Sequence, residues 1–213
     1  IAETGALLAL PEAAGDGSSL GGSEESYVWG GKRWAYALDA ACQMAVHRPD
    51  LIQQLPQRWE QFLQPEAGAF RPLTPLLPVD AFDMLMTIVA GRGEADLPRS
   101  PDAFVSEANG LYALAVLRAL YDLGPSEQAA MNPIAVLETL AGGDEFACAP
   151  CLFGYVNYAR EGFRPHRLQY FDLPLCEGFA ASKAILGGAG IGVSVQTADP
   201  EAAIAFAQWI TSE

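Results

Sequence analysis

Leu186-Gly-Gly-Ala-Gly-Ile-Gly-Val-Ser194, with Ala198-Asp-Pro-Glu201 and Ala202-Ala-Ile-Ala-Phe-Ala-Gln-Trp-Ile210 behind it, decides how this chain is read. The glycine-rich stretch leads into a short apolar strand, predicted over 191–195. Asp199 is a good helix N-cap, Pro200 suits the first helical position, and Glu201 sits where the helix dipole favours negative charge. Ala203, Phe206, Ala207 and Ile210 then recur at helical spacing, so they are expected to face a core. Trp209 is expected in the core as well.

Outward from that block, the rest of the chain reads as short strands and more numerous helices, an α/β pattern. Residues 1–11 read as a helix end running into a turn, and 12–26, rich in Gly, Ser and Glu, as a loop. Tyr27–Leu38 reads as a hairpin around Gly30-Gly31. Asp39–Val46 follows as an extended crossing segment. Leu51–Gln54 is expected as a short helix, and Pro56–Leu63 as another with Trp59, Phe62 and Leu63 on one face. Residues 64–78 and 91–103 read as irregular.

Asp80–Ala90 is predicted helical, with Ala81, Leu85, Ile88 and Val89 inward. The longest helix is predicted over Ser106–Leu123, with Leu111, Leu114, Ala115, Leu117 and Leu120 as its packing residues and Gly124 as its stop. Asn132-Pro133 opens another helix, ended at Gly142-Gly143. Glu145–Pro150 is a buried strand candidate. A short helix near Asn157–Arg160 and a strand over His166–Leu175 complete the reading.

Composition narrows the function. The chain has 213 residues, about half of them apolar, which suffices for a substantial core. Twelve Lys and Arg against twenty-six Asp and Glu give a net charge of −14, and this argues against a nucleic-acid partner. No apolar run approaches the roughly 20 residues of a membrane span. Four cysteines allow three pairings, and sequence selects none of them.

The order of the pieces resembles the bacterial extracellular solute-binding proteins of sugar-type ABC transporters. A "Gly-Leu-Leu-x-Leu" start stands here as Gly5-Ala-Leu-Leu-Ala-Leu10. "Tyr-x-x-x-Gly-Lys-x-Trp-x-x-Pro-x-Asp" stands as Tyr27-Val-Trp-Gly-Gly-Lys-Arg-Trp-Ala-Tyr-Ala-Leu-Asp39, without the proline. The "Pro-x-Thr-Trp-Asp-Glu" block stands as Pro56-Gln-Arg-Trp-Glu-Gln61, with Arg58 in place of Thr. The terminal "Gly-Gly-x-Gly-Ile-x-Val-Ser" block closes the series.

The resemblance implies a two-lobed, periplasmic-binding-protein-like fold of type II. It is incomplete here, without the first βαβ unit and the closing C-terminal segment. Residues 1–44 and 180–213 would form part of one lobe and residues 45–179 the other, with crossings near Asp39–Val46 and Leu175–Ala184. It further implies a sugar or polyol held between lobes, a permease partner, and a periplasmic or extracellular location through an anchor outside this fragment. No cofactor and no metal are expected.

A sugar site needs aromatic faces for pyranose CH surfaces, and carboxylates, amides and backbone N–H groups for the hydroxyls. Asp39 and Gln43 lie on the first presumed crossing. Asp39 reads as a ligand contact or as a turn cap, and Gln43 as a ligand contact or an exposed strand position. Gly187 and Gly188 either let a ligand approach the backbone or make a plain tight turn. Tyr155 sits in a loop at a strand end, where α/β sites form, or in the core. Trp34 and Tyr36 alternate along a strand, as stacking platforms or as packing.

Cys148-Ala-Pro-Cys151 is the one motif with reactive chemistry in it. A thiol pair of this spacing at a helix N-terminus supports disulfide exchange. Buried free cysteines on a strand are the other reading. His47 and His166 show no metal-ligand spacing with the cysteines. No Gly-x-Ser-x-Gly, Walker or His-Glu-x-x-His motif is present, and Gly187-Gly-Ala-Gly190 precedes its strand instead of following one. An enzyme is therefore not expected. The rivals to solute capture are a thiol–disulfide oxidoreductase using Cys148 and Cys151, and a non-binding interaction module.

Overall fold

Gly30 and Gly31, with φ of 61° and 72°, turn the first hairpin of the chain. Two successive positive φ values suit the right-handed twist of the flanking strands, and only glycine takes them without strain. The turn joins β1 (Val28–Trp29) to β2 (Lys32–Arg33), with Trp29 opposite Lys32. The computed structural model describes residues 4–12, 22–53, 56–63, 71–94 and 97–212. Parts of the expected loops over 12–26, 64–78 and 91–103, and Gln54 of the expected helix at 51–54, lie outside those residues.

The chain divides into two compact units, Ile1–Cys42 with Leu186–Glu213, and Gln43–Ile185. In the first, β3 (Tyr36–Ala37) pairs antiparallel with β8 (Gly190–Ile191), and β7 (Leu186–Gly187) pairs with Ala41–Cys42. The strand expected over 191–195 is regular only at its start. Val193 and Val195 go on as extended chain, bonded to the backbone of Leu8 and Ala6. Residues 4–11 are consequently not a helix end: Leu7 bridges Ser194 and Leu10 bridges Arg33.

The first unit ends in α5 (Pro200–Ile210), where Asp199 Oδ1 accepts the Ala202 N–H at 3.0 Å. A cap of this kind stabilises a helix by about 1 kcal/mol. The helix buries only Ala207, with Ala203 and Ile204 packed at the edge of a small core of Leu10, Tyr36 and Val193. Phe206, Trp209 and Ile210 are exposed, contrary to the inward face read from their spacing.

The second unit is built on an antiparallel sheet in the order β5–β4–β6. Its members are β4 (Ala41–His47), β5 (Cys148–Phe153) and β6 (Gln169–Phe171). β5 begins three residues later than expected and runs on past Pro150. β6 is much shorter than the strand expected over 166–175.

One face of this sheet carries α1 (Trp59–Leu63), α2 (Pro78–Gly91) and α3 (Glu107–Leu123). Trp59, Phe62, Met84, Ile88, Val89, Ala113, Val116, Leu120, Cys148 and Cys151 pack together there. The other face carries α4 (Pro133–Gly142), whose Val136, Leu137 and Leu140 meet Val46, Ala149 and Leu152. Burying each Leu, Ile or Val contributes about 1.5–3 kcal/mol.

Several sequence expectations change here. Residues 51–53 form a turn closed by bonds from Leu51 and Ile52 to the Arg48 carbonyl, not a helix. α1 starts at Trp59, not at Pro56. In α2 the innermost positions include Asp80, Met84 and Thr87, while Ala81 and Leu85 are half-buried. The buried stripe of α3 is Gly110, Ala113, Val116 and Leu120, whereas Leu111, Leu114 and Ala115 face out.

Arg48 is fully buried in the second unit. Its guanidinium donates to Asp50 at 2.8 and 2.7 Å, to Asp144 at 2.8 Å, and to the carbonyls of Leu140 (3.1 Å) and Gly143. It thereby ties the end of β4 to the C-terminal carbonyls of α4, where a cation also suits the helix dipole.

Candidate functional site

Residues 36–42 and 186–191 run antiparallel on either side of an irregular step at Asp39 and Gly188. Asp39 Oδ1 accepts the Ala189 N–H at 2.6 Å, and the Leu38 N–H donates back to the Ala189 carbonyl at 2.8 Å. Gly188 has φ +145°, and a Cβ there would lie 2.5 Å from the Asp39 carbonyl oxygen. The bare glycine backbone is thus filled by Asp39, whose exposed side chain caps the turn. Gly187 lies in β7 just before it.

Tyr36 is 1 % exposed. Its hydroxyl donates to the Pro11 carbonyl at 2.9 Å and accepts from Gln208 Nε2 at 3.2 Å, so the ring is a packed element of the first unit. Trp34 is half-buried, and its Nε1 donates to the Trp29 carbonyl at 3.0 Å. Its ring is oriented by the hairpin before it, and Trp29 is exposed beside it.

In the second unit, the register Gln43↔Phe153 brings Gln43 and the Gly154-Tyr155 loop to one end of the sheet. Tyr155 is 45 % exposed, which removes the core alternative for it. Its backbone is clasped from both sides. The Tyr155 N–H donates to Tyr170 Oη at 3.3 Å, and that hydroxyl donates to the Tyr155 carbonyl at 2.7 Å. A Cβ at Gly154 would lie 2.6 Å from Met44 Sδ, so a larger residue there would require the Met44 side chain to shift.

Gln43 is 4 % exposed, which removes the exposed-strand alternative for it. Among the described residues its Oε1 has no hydrogen-bond partner. A buried amide oxygen left unmatched costs about 1–3 kcal/mol.

Sequence reading missed three further polar residues of the second unit, all on α2. Asp80 and Asp83, on one face of α2, are held above the usual carboxylate range by burial, and Asp80 also by its proximity to Asp83. Thr87 Oγ1, further along that face, accepts the Ile185 N–H at 3.2 Å. Two acids spaced i, i+3 in a mostly apolar helix were the available signal. Tyr170, the clasp on Tyr155, had no signal beyond its strand. An open depression of about 360 Å³, lined by Ala159, Arg167, Leu168, Gln169 and Tyr170, touches this group only through Tyr170.

The Cys148–Cys151 pair is buried on β5 and not at a helix N-terminus, and both thiols are free. Burial pushes the Cys148 thiol up to about 12, and burial with the nearby Asp83 raises Cys151 further. A thiol so far from ionising is a poor nucleophile, and the oxidoreductase reading loses its support. Among the described residues no group of His, Cys, Asp and Glu could hold a metal ion. No helix among them is long and apolar enough to cross a membrane.

Comparison of this architecture with solved structures gives matches over nearly the whole chain. The GacH receptor of Streptomyces glaucescens, solved unliganded and with acarbose, aligns with a TM-score of 0.75 at 16 % identity over 98 % of this chain. An ABC transporter solute-binding protein of Agrobacterium vitis with bound D-mannitol aligns at 0.73 and 16 % over all of it. The fold is that of the ABC-transporter solute-binding proteins. Maltose-bound MalE3 of T. maritima matches at 0.70 and 16 % over 92 %. The chain spans 57 %, 56 % and 54 % of these proteins, a little over half of the solute-binding-protein fold. No protein-family model matches the sequence. No curated protein matches it either.

Proposed function

We propose that this chain is the larger part of a solute-binding protein that captures a sugar or polyol for an ABC importer. One observation carries the reading: at least two proteins of the same fold hold maltose or D-mannitol, and a third was solved with acarbose. The protein works by binding and not by covalent chemistry. It acts outside the cytoplasm, in the periplasm or at the cell surface, and hands its ligand to the permease subunits in the membrane.

In this reading Tyr155 offers its exposed ring to the apolar face of a pyranose, and Gln43 offers the unmatched Oε1 to a hydroxyl. Within the first unit, Trp34 and the turn of Asp39, Gly187 and Gly188 are the candidate contacts. Tyr36 is too deeply packed for stacking and supports that turn from below the surface. The lobes of the family correspond in this reading to the units divided at Cys42/Gln43 and Ile185/Leu186.

Thermal-shift titration of the chain against a carbohydrate panel that includes maltose, acarbose and D-mannitol tests the proposal. A ligand of the native state raises the melting temperature by mass action, by an amount that grows with its concentration. The expected result is a saturating shift with at least one member of the panel, abolished in Tyr155→Ala. A cooperative melt that no carbohydrate displaces overturns the sugar assignment.

A further inference from the structure

We infer that Tyr170 is a positioning residue for carbohydrate capture: its hydroxyl fixes the backbone of Tyr155 and thereby presents the Tyr155 ring. The inference rests on the reading of Tyr155 as a ligand contact, and it names the group that holds that contact in place.

One oxygen serves both polar groups of a single residue. Tyr170 Oη accepts the Tyr155 N–H at 3.3 Å and donates to the Tyr155 carbonyl at 2.7 Å. The backbone is thus held on both sides of the Tyr155 Cα, in an extended conformation with φ −121° and ψ 99°. The same carbonyl accepts the Tyr158 N–H at 3.1 Å, which starts the helical turn Val156–Ala159. Among the described residues the Tyr155 side chain makes no hydrogen bond or ring contact of its own. The direction of the exposed ring is therefore set through its backbone.

The holding group is itself fixed. Tyr170 stands in β6 opposite Val46 of β4, and its ring packs against the core that Val46 shares with Leu137, Leu140 and Leu152. A Cβ at Gly154 would lie 3.4 Å from Tyr170 Cε1, so the ring runs alongside the loop that its hydroxyl holds. Burial raises the phenol above its ordinary value, outweighing the bond to the Tyr155 carbonyl, so the hydroxyl keeps the proton it donates. A packed strand residue thereby lends its precision to an exposed loop. A ring already fixed before the ligand arrives loses less freedom on binding, and that saving appears as affinity.

Tyr170→Phe tests this, because it keeps the ring and removes only the hydroxyl. Labelling with 15N-tyrosine resolves the seven tyrosine amides, and Tyr112 and Tyr121 within α3 report on the stability of the unit as a whole. Without ligand, hydrogen exchange at the Tyr155 amide is expected to speed up about tenfold in the variant, with Tyr112 and Tyr121 unchanged. Titration with maltose, acarbose and D-mannitol is expected to show binding about 3- to 10-fold weaker than in the wild type. Unchanged exchange at Tyr155 overturns the inference, because the hydroxyl then holds nothing. Equal acceleration at all three amides overturns it too, since that is a general loss of stability. So does faster exchange at Tyr155 alone with unchanged affinity. Wild-type protein that binds none of the three overturns the underlying reading of Tyr155 instead; that failure shows in the wild type, whereas failure of the positioning role shows only in the variant.

Discussion

The Asp39 carboxylate and the Ala189 backbone are joined at 2.6 Å across 150 positions of sequence, and this bond closes the turn that Gly188 makes possible. A side chain at 188 would both strain a φ of +145° and drive a Cβ into the Asp39 carbonyl. Gly188→Ala is expected to lower unfolding stability by about 1–3 kcal/mol in urea melts. Asp39→Asn keeps an oxygen acceptor and changes little, whereas Asp39→Ala costs about 1 kcal/mol. An unchanged urea midpoint for Gly188→Ala would show that the turn relaxes freely.

Arg48 gives a second prediction. It is a buried cation whose donors go to two carboxylates and two helix-terminal carbonyls. Removing it leaves Asp50, Asp144 and the end of α4 without their common partner. Arg48→Met should destabilise the second unit by about 1–3 kcal/mol, because the exposed Asp50 and Asp144 regain water while the buried Leu140 carbonyl loses its donor.

The same network sets an acid limit. Hydrogen bonding to Arg48 holds the Asp50 carboxyl at about 2, below the roughly 3.9 of an unfolded Asp. A depressed folded pKa means the contribution is complete above about pH 4 and lost as pH falls toward 2. Asp50→Asn should flatten the stability–pH curve in that window. A variant curve parallel to wild type there would exclude Asp50 as its source.

His47 acts with the opposite charge and in a different range. Burial pushes its pKa below the ordinary value, outweighing a backbone hydrogen bond at Gln169, and its ring packs edge-on against Phe171. The unfolded chain therefore takes up the proton first, near pH 6.5. Stability is full above that value and declines as pH falls through it. His47→Leu should remove the decline that sets in below about pH 6.5, as seen in chemical-denaturation midpoints measured at each pH. His166, 3.8 and 3.6 Å from Asp50 and Asp144, is the control: its substitution should leave the His47 effect in place.

Where sequence was legible and where it was not follows from local against long-range physics. The Asp199 cap, the Asn132–Pro133 helix start and the Gly30-Gly31 turn are local, and each stands where its residues require. The inward face of α3 is not local. That helix is apolar nearly all round, so Leu111 and Leu114 advertise a stripe as strongly as Val116 and Leu120 do. The packed face is marked instead by small residues: a Cβ at Gly110 would press on Val105 at 3.0 Å.

For the candidate site, Tyr155 was legible from its loop. The burial of Gln43 was not, because burial of a strand position is set by long-range packing that the local sequence does not report. Leu120→Ala should cost about 2–5 kcal/mol, whereas Leu114→Gln should stay within about 0.5 kcal/mol. Equal losses would mean that α3 packs by the other face.

The cysteines give the most direct test of capture against thiol chemistry. Cys42 is exposed near the start of β4, while Cys148, Cys151 and Cys176 are buried. Cys148 is pushed up to about 12 by burial alone, and Cys176 is raised chiefly by burial as well. An aromatic disulfide reagent should therefore titrate the Cys42 thiol promptly in the native protein and the other three only after unfolding. Fast reaction of Cys151 in the native state would restore the redox reading. Cys151→Ser supplies the complementary measurement. The small polar replacement puts a hydroxyl into an apolar contact with α2 and α3 and lowers stability, but no ligand group depends on that sulfur. Any carbohydrate-induced rise in melting temperature should persist in Cys151→Ser, measured from its own lower baseline. Its disappearance would mean that the sulfur takes part in what the chain binds.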